Sequence, residues 1–266
     1  MSPLPRHTAL RYLEPLREGG SLPAIVEADG GLFVVKFRGA GQGALALVAE
    51  IVVGELARSL GLPVPELALV HVDAAFGRTE PDPEIQDLLR ASHGINVGLE
   101  YLEGAFNFDP RAAGDLVSPE LAAEVVWLDC WVTNPDRSAR NPNLLVHRRR
   151  PWLIDHGAAL YHQHDWSRVS ADRVRAPFAR ISDHVLLATA ADVDGADRRL
   201  AERLPAGAID RAVEAVPEDL ISPEDRERHR EWLHGRFTAR ADWVAAAAEA
   251  QSVARARPRD RRPYRR

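Results

Sequence analysis

Short runs in which apolar and polar residues alternate dominate residues 1–102. Such alternation is typical of strands with one buried face, and it predicts strands at residues 8–17, 23–28, 31–38, 64–72 and 95–102. Residues 44–60 instead repeat apolar side chains at three- and four-residue spacing, which predicts a long helix. A short helix is expected at residues 83–91. This part of the chain is therefore β-rich with one long helix.

Helical patterns dominate the rest of the chain, interrupted by one hairpin. Ser118-Pro119-Glu120 offers a capping serine, a proline for the first helical position and an acid for the first turn. Helices are predicted at residues 119–133, 177–191, 196–203, 207–215 and 222–249, and short strands at 144–146 and 152–154. We expect an α+β, bilobal fold, with a small β-rich lobe (1–102) and a larger, mainly helical lobe (103–250).

Composition and charge narrow the possible functions. The net charge is −5, although residues 255–266 carry seven arginines against one aspartate. An acidic body does not favour a nucleic-acid-binding protein, and we expect the Arg/Pro-rich tail (251–266) to be disordered, with contact to nucleic acid or an acidic partner as an alternative. No apolar run reaches the roughly 20 residues of a membrane span. The single cysteine and the absence of an apolar signal core favour a cytoplasmic location.

Lys36 is the only lysine among 34 basic residues. A strong preference for arginine replaces lysine wherever a guanidinium serves equally well, so a lysine that persists is expected to act as a compact point charge. Glu50 stands in an otherwise apolar part of the predicted helix 44–60. It either faces solvent or forms an ion pair with Lys36, and the order of strand and helix allows the second.

Three oxygen-bearing side chains between residues 126 and 157 lie at the ends of apolar segments. Asp136 and Asn141 bracket one loop, and the hairpin that follows returns the chain to that loop at Asp155. Oxygen ligands of this kind suit Mg²⁺. Phosphoryl transfer from ATP needs a carboxylate, a divalent metal and a cation on the phosphates, and Lys36 paired with Glu50 would supply the cation.

These residues match a known pattern. The segment 134–141 (NPDRSARN), the apolar pair 144–145 and the segment 154–157 (IDHG) resemble the HipA-like kinases and, more distantly, the phosphatidylinositol kinases. The segment from Glu50 to Pro65 resembles the helix and exit strand of the HipA-like amino-terminal lobe. The resemblance implies a protein-kinase-like fold, ATP bound between the lobes, and serine/threonine protein kinase activity.

The resemblance also implies roles for individual residues. Asp136 would be the catalytic base, Asn141 and Asp155 would hold Mg²⁺, and Lys36 would contact the α- and β-phosphates. Residues Glu100, Tyr101 and Leu102 would form the hinge against adenine. For the loop over the phosphates the chain offers only Gly19, Gly20 and Ser21, because no GxGxxG motif is present.

Two further departures from the family pattern concern packing and partners. His156 replaces the phenylalanine of the usual Asp-Phe-Gly, a position that affects packing rather than metal binding. The extra amino-terminal subdomain of longer members, which commonly helps to contact an antitoxin, is not expected here, so an antitoxin-type partner is not favoured.

Several alternatives remain open. The phosphate acceptor is expected to be a protein, but a small-molecule kinase or a non-catalytic nucleotide-binding module would share this fold. Asn143 could replace Asn141 as metal ligand. Arg137 and Arg140 could pair with aspartate carboxylates or with substrate phosphates, or they could face solvent. The segment 162–165 (HQHD) could be a metal cluster, although a surface turn is favoured, and Cys130 is expected to be a buried helix residue.

Overall fold

The first lobe is a closed five-stranded barrel. The computed structural model describes residues 3–16, 22–41, 43–78 and 80–256. The barrel strands are β1 (Arg6–Pro15), β2 (Ala24–Ala28), β3 (Gly31–Lys36), β4 (Leu67–Val72) and β5 (Gly94–Glu100). Their order is β1-β2-β3-β5-β4, and a parallel pairing of β1 with β4 closes the circle. Closure leaves no free strand edge in this sheet.

Strand β3 places Lys36 at the edge of the barrel. Phe33, Val35 and Phe37 belong to the apolar core inside the barrel. Because side chains alternate along a strand, Lys36 extends from the opposite face of β3. Its backbone pairs with Val97 of β5, so the sheet itself fixes where the ammonium group begins.

Helix α1 (Gly43–Ser59) packs into the core of the second lobe. Residues 47–57 are all buried, and the apolar side chains of α1 share one cluster with those of the second lobe. This cluster also includes Leu67, Leu69, Val97 and Leu99 of β4 and β5, and it is separate from the core inside the barrel. Both ends of α1 are also bonded to the second lobe, because Gln163 donates to the carbonyl of Leu45 at 3.0 Å and Arg203 donates to that of Leu60 at 3.1 Å. Gly61, with φ of +71°, then ends the helical segment.

The second lobe is mainly helical. The short helix α2 (Pro83–Ala91) still belongs to the first lobe, and the second contains α3 (Pro119–Trp131), α4 (Val193–Arg203), α5 (Ala208–Glu214), α6 (Pro223–Thr238) and α7 (Arg240–Ala256). A small sheet of order β6-β7-β8 joins β6 (Phe106–Asn107) to the hairpin β7 (Leu144–His147) and β8 (Arg150–Leu153). Ser118 caps α3 by accepting the Leu121 N–H. The expected α+β fold, with a β-rich first part and a helical second part, is confirmed.

The helix predicted at residues 177–191 is wrong. This segment contains only a 3-10 turn (Ala179–Asp183) and irregular backbone. Two of its backbone donors bind distant partners: Val185 donates to the carbonyl of Arg137 at 3.0 Å, and Ala191 donates to that of Pro119 at 2.6 Å. Other donors, such as those of His184 and Leu187, form short local turns. Turns and tertiary hydrogen bonds therefore replace the helical ladder that the apolar spacing suggested.

The single helix predicted at residues 222–249 is two helices, α6 and α7. Trp243 Nε1 donates to the carbonyl of Arg236 at 2.9 Å, which is the carbonyl that the N–H of Arg240 would use in a continuous helix.

Helix α7 also continues through residues 251–256, which were expected to belong to the tail. The remaining tail residues, 257–266, lie outside the described residues. No helix in the described ranges has the length and apolar character needed to cross a membrane.

Because α1 is buried, shortening one of its apolar side chains should destabilise the protein. Leu56 is fully buried, so Leu56→Ala should lower the free energy of unfolding by about 2–5 kcal/mol through lost burial and a residual cavity. Urea denaturation measures this. As a control, Leu10→Ala removes a side chain that is 60% exposed and should change stability by no more than about 0.5 kcal/mol. Equal effects of the two substitutions would contradict the packing of α1.

Candidate active site

The loop after α3 is held by side chains rather than by regular backbone bonding. Asn134 Nδ2 donates to Asp129 of α3 at 3.0 Å, and Asn134 Oδ1 accepts the N–H of Asp136 at 3.1 Å. Asn134 thus connects the end of the helix to the loop. This places Asp136 at a fixed distance from the buried helix.

Two asparagines orient the carboxylate of Asp136. Asn141 and Asn143 donate their amide hydrogens to the same oxygen, Oδ2, at 2.9 and 3.3 Å. Asn143 also donates to the backbone carbonyl of Asp136 at 2.9 Å. Both asparagines therefore turn their amide nitrogens, not their oxygens, toward Asp136. Asn141 is exposed while Asn143 is buried, so Asn141 has the amide oxygen that a ligand can reach.

Lys36 lies between two carboxylates from different parts of the chain. Its Nζ donates to Glu50 Oε2 at 2.7 Å and to Asp155 Oδ1 at 2.5 Å. Glu50 is fully buried, whereas the side chain of Asp155 is 41% exposed. The N–H of His156 also donates to Glu50 Oε2 at 2.8 Å. The ion pair expected from the sequence is present, and Asp155 joins it.

Burial and charge act in opposite directions on these groups. Burial alone would lower the pKa of Lys36, but the neighbouring charges of Glu50 and Asp155 keep it above its usual value. Burial would raise the pKa of Asp155, and the charge and hydrogen bond of Lys36 instead hold it below its usual value. For Glu50, burial outweighs Lys36 and raises the pKa. The ammonium group therefore stays charged at neutral pH.

A small cavity opens beside Lys36 and Asp155. Small residues line much of it, among them Ala40, Gly43, Ala46 and Gly157. A Cβ atom added at Gly157 would lie 3.4 Å from both the Cβ and the carbonyl oxygen of Ala46. The chain after Asp155 therefore passes close to α1, and a larger residue there would crowd the cavity.

Arg137 forms a buried ion pair with Asp129, so of its three possible roles the structure shows pairing with a carboxylate, although the sequence did not identify Asp129 as the partner. Both side chains are fully buried, and Arg137 Nε donates to Asp129 Oδ2 at 2.6 Å. His184 Nε2 also contacts this oxygen, at 2.9 Å. Burial would raise the pKa of Asp129, but the charge of Arg137 and the hydrogen bond of His184 hold it well below its usual value. The position of Arg137 directly after Asp136 is the sequence feature that singles it out.

The residues expected to contact the base of ATP lie where the chain leaves the barrel. Glu100 ends β5, and its N–H donates to the carbonyl of Glu66 at 2.8 Å. The N–H of Tyr101 donates to the carbonyl of Leu32 at 3.0 Å, and Leu102 is buried. The segment is thus held by backbone bonds at the junction of the lobes. Gly19, Gly20 and Ser21 lie outside the described residues.

The segment 162–165 and Cys130, the two remaining candidates from the sequence, are both part of the packed structure. Residues 161–164 form a 3-10 turn in which Gln163 is buried and contacts His229 at 3.0 Å. Within the described ranges no group of three or more histidine, cysteine or acidic side chains is placed to hold a metal ion. Cys130 is buried in α3, as expected, and burial raises the pKa of its thiol.

Comparison with known proteins identifies the fold and family. The model of a family described as HipA-like kinase matches residues 12–232. No curated protein matches the chain in sequence. Among solved structures, the Helicobacter pylori proinflammatory kinase CtkA is similar, with a TM-score of 0.58 and 15% sequence identity. The alignment covers 96% of this chain and all of CtkA, so the similarity of fold extends through both lobes.

The buried pair of Asp129 and Arg137 predicts a strong effect on stability. Asp129→Asn leaves the guanidinium group buried without its counter-charge and should lower the free energy of unfolding by about 3–5 kcal/mol. Because the pKa of Asp129 is depressed in the fold, the loss should be full at neutral pH and should shrink only as the pH falls below about 4. Urea denaturation at several pH values measures both features.

The same substitution at Asp136 is the matched control. Asp136→Asn changes a carboxylate that accepts from two amides beside exposed loop residues, and it should cost no more than about 1 kcal/mol. A loss of stability for Asp129→Asn no larger than that of this control would argue against a structural ion pair.

Proposed function

Because this chain belongs to the HipA-like kinase family, we propose that it is a kinase that transfers the γ-phosphate of ATP to a protein serine or threonine. The family and the kinase fold support the general activity. The observation that best supports the site is the convergence of Lys36, Glu50 and Asp155, which come from the barrel, from α1 and from the segment after β8, within 2.7 Å contacts.

Lys36 is the proposed phosphate-binding cation. Its ammonium group borders the cavity beside Asp155, and it is charged at neutral pH because two carboxylates raise its pKa. The amino-terminal end of α1 lines the same cavity at Gly43, and no acidic residue occurs in the first turn of that helix. Both features favour phosphate groups in this position.

Asp155 and Asn141 are the proposed Mg²⁺ ligands. Asp155 is partly exposed and has a second carboxylate oxygen besides the one bound to Lys36, and Asn141 exposes its amide oxygen because its amide nitrogen binds Asp136. These hard oxygen donors fit Mg²⁺, which takes few protein ligands and completes its shell with phosphate and water. The ion would neutralise charge that develops on the phosphates. Asn143 uses its amide nitrogen within the loop and is buried, which favours Asn141.

Asp136 is the proposed base. The two asparagines bind Oδ2, so Oδ1 can accept the hydrogen bond of an acceptor hydroxyl. As the hydroxyl oxygen forms its bond to the γ-phosphorus, the bond from that phosphorus to the bridging oxygen of ADP breaks. The hydroxyl proton passes to the Asp136 carboxylate.

The adenine base is assigned to the junction of the lobes. Glu100, Tyr101 and Leu102 follow the last barrel strand, and this segment connects the lobe that carries Lys36 to the lobe that carries Asp155. A base bound there would leave its phosphates directed toward Lys36. Glycines 19 and 20 with Ser21 remain the proposed cover of the phosphates.

A protein acceptor is supported by the exposure of the loop. Ala139, Arg140 and Asn141 are all exposed, so the loop that carries Asp136 faces an open surface on which an extended polypeptide can lie. A small-molecule acceptor is the second candidate, since the same base and metal ligands would serve any alcohol.

Phosphorylation assays with matched aspartate variants test this function. With Mg²⁺ and γ-labelled ATP, the wild-type protein should label proteins in a cell lysate, and Asp136→Asn should lower kcat by about 100- to 10,000-fold through loss of the base while still binding nucleotide. Asp155→Ala should lose Mg²⁺-dependent nucleotide binding as well. Asp87→Asn, which alters an exposed ion pair on α2, should leave both measurements unchanged.

The products of this assay show whether the phosphate acceptor is a protein or a small molecule. ADP release that depends on a metabolite fraction, with no labelled protein, would support the small-molecule alternative. Nucleotide binding without turnover under any condition would refute the proposed kinase activity and leave a nucleotide-binding module.

A further inference from the structure

Arg137 connects three parts of the site through one buried guanidinium group. Its Nε binds Asp129 on α3, as described above. One terminal nitrogen donates to the backbone oxygens of Asn143 at 2.5 Å and Ile154 at 3.5 Å. The other contacts Nδ1 of His156 at 3.3 Å. A helix, a loop and the segment after β8 therefore meet at a single side chain.

These contacts lie on both sides of the proposed metal ligand. Ile154 precedes Asp155 and His156 follows it, while Arg137 itself directly follows Asp136. The guanidinium group thus reaches from Arg137, which follows the proposed base Asp136, to Ile154 and His156, the residues on either side of Asp155. Because its donors have a fixed planar arrangement, it sets the distance between these two stretches of backbone.

We propose that Arg137 is a positioning residue, which holds the loop of Asp136 and the segment of Asp155 in the alignment that phosphoryl transfer requires. This inference rests on the kinase function proposed above. Arg137 binds the neighbours of the two carboxylates rather than the carboxylates themselves. It acts through two backbone carbonyls and the side chain of His156. A misplacement of about 1 Å between reacting groups can cost about 100-fold in rate.

Asp129 fixes the direction of the guanidinium group. Its carboxylate accepts from Asn134, Arg137 and His184. His184 Nδ1 accepts the N–H of Leu186 at 3.1 Å, so the proton of the neutral ring is on Nε2, the nitrogen that donates to Asp129. The carboxylate is therefore held by three donors, two from the loop after α3 and one from the segment of His184, and the orientation of Arg137 follows from it.

The contact between Arg137 and His156 Nδ1 explains the histidine in Asp-His-Gly. Arginine can only donate, so His156 Nδ1 must be the unprotonated nitrogen that accepts. Burial, together with the charge of Arg137, lowers the pKa of His156 to about 3, which agrees with a neutral ring. Phenylalanine could fill a similar space but could not accept a hydrogen bond. His156 thus supplies one end of the span that Arg137 makes across Asp155.

Steady-state kinetics of Arg137→Lys test the proposal. A lysine has one ammonium group and cannot reach Asp129, the two carbonyls and His156 together, so we expect kcat per folded molecule to fall by about 100-fold with KM for ATP within about threefold. The matched control is Arg236→Lys. Arg236 is also buried, and it donates to the carbonyls of Cys130 and Trp131 at the end of α3, so this substitution should lower stability without changing kcat per folded molecule.

His156→Phe provides an independent variant. It removes a single contact of Arg137 and should lower kcat by about fivefold, as expected for one hydrogen bond, and the double variant with Arg137→Lys should be no slower than Arg137→Lys alone. If Arg137→Lys does not fold, the kcat of His156→Phe decides the matter.

The outcomes separate this inference from the proposed function. An active wild type with an unchanged kcat in Arg137→Lys or in His156→Phe, or an equal loss in Arg236→Lys, would overturn the positioning role alone. A wild type that turns over no ATP with any acceptor would overturn both proposals.

Discussion

The geometry of the site depends on one buried ammonium group bound by two carboxylates. Removing Lys36 and Glu50 from water costs several kcal/mol for each ion, and only close contacts offset that cost. The contacts of 2.7 and 2.5 Å meet this requirement. The two acids are not equivalent, because Glu50 is fully buried and also bound by the N–H of His156, whereas Asp155 is partly exposed. In the proposed function, Asp155 would therefore be the partner that an incoming phosphate replaces at Lys36, and a cation bound with the phosphate would compensate the charge of Asp155.

The packing of α1 decides how the lobes share this interaction. Helix α1 is bonded to the second lobe at both ends, and its apolar cluster also includes Leu67, Leu69, Val97 and Leu99 of the barrel strands. Glu50 therefore lies on a helix packed between the lobes, while Lys36 comes from the barrel and Asp155 from the second lobe. The ammonium group is thus a contact between the lobes as well as part of the site.

The sequence predicted the parts that follow local rules and missed those that depend on distant partners. The barrel strands and α1 have clear periodicity, and Lys36 was conspicuous as the single lysine. The segment 177–191 has helical spacing, but two of its backbone donors bind distant carbonyls and several others form short local turns. For Arg137 the sequence left a carboxylate partner, a substrate phosphate and solvent all open, because it contains no sign that Asp129, in the preceding helix, would be buried beside it. Long-range polar pairs of this kind have no local signature.

The backbone around the site explains why so many buried polar contacts are needed there. Thr133, Asn143 and Asp155 all have positive φ, at 52°, 47° and 57°, a conformation that costs residues other than glycine about 1–3 kcal/mol each. Segments without regular hydrogen bonding do not hold such residues by themselves. Here Asn143 is held through its own side chain and carbonyl, and Asp155 lies between two residues bound by Arg137. The buried network around Asp129 and Arg137 therefore offsets the backbone strain at Asn143 and Asp155.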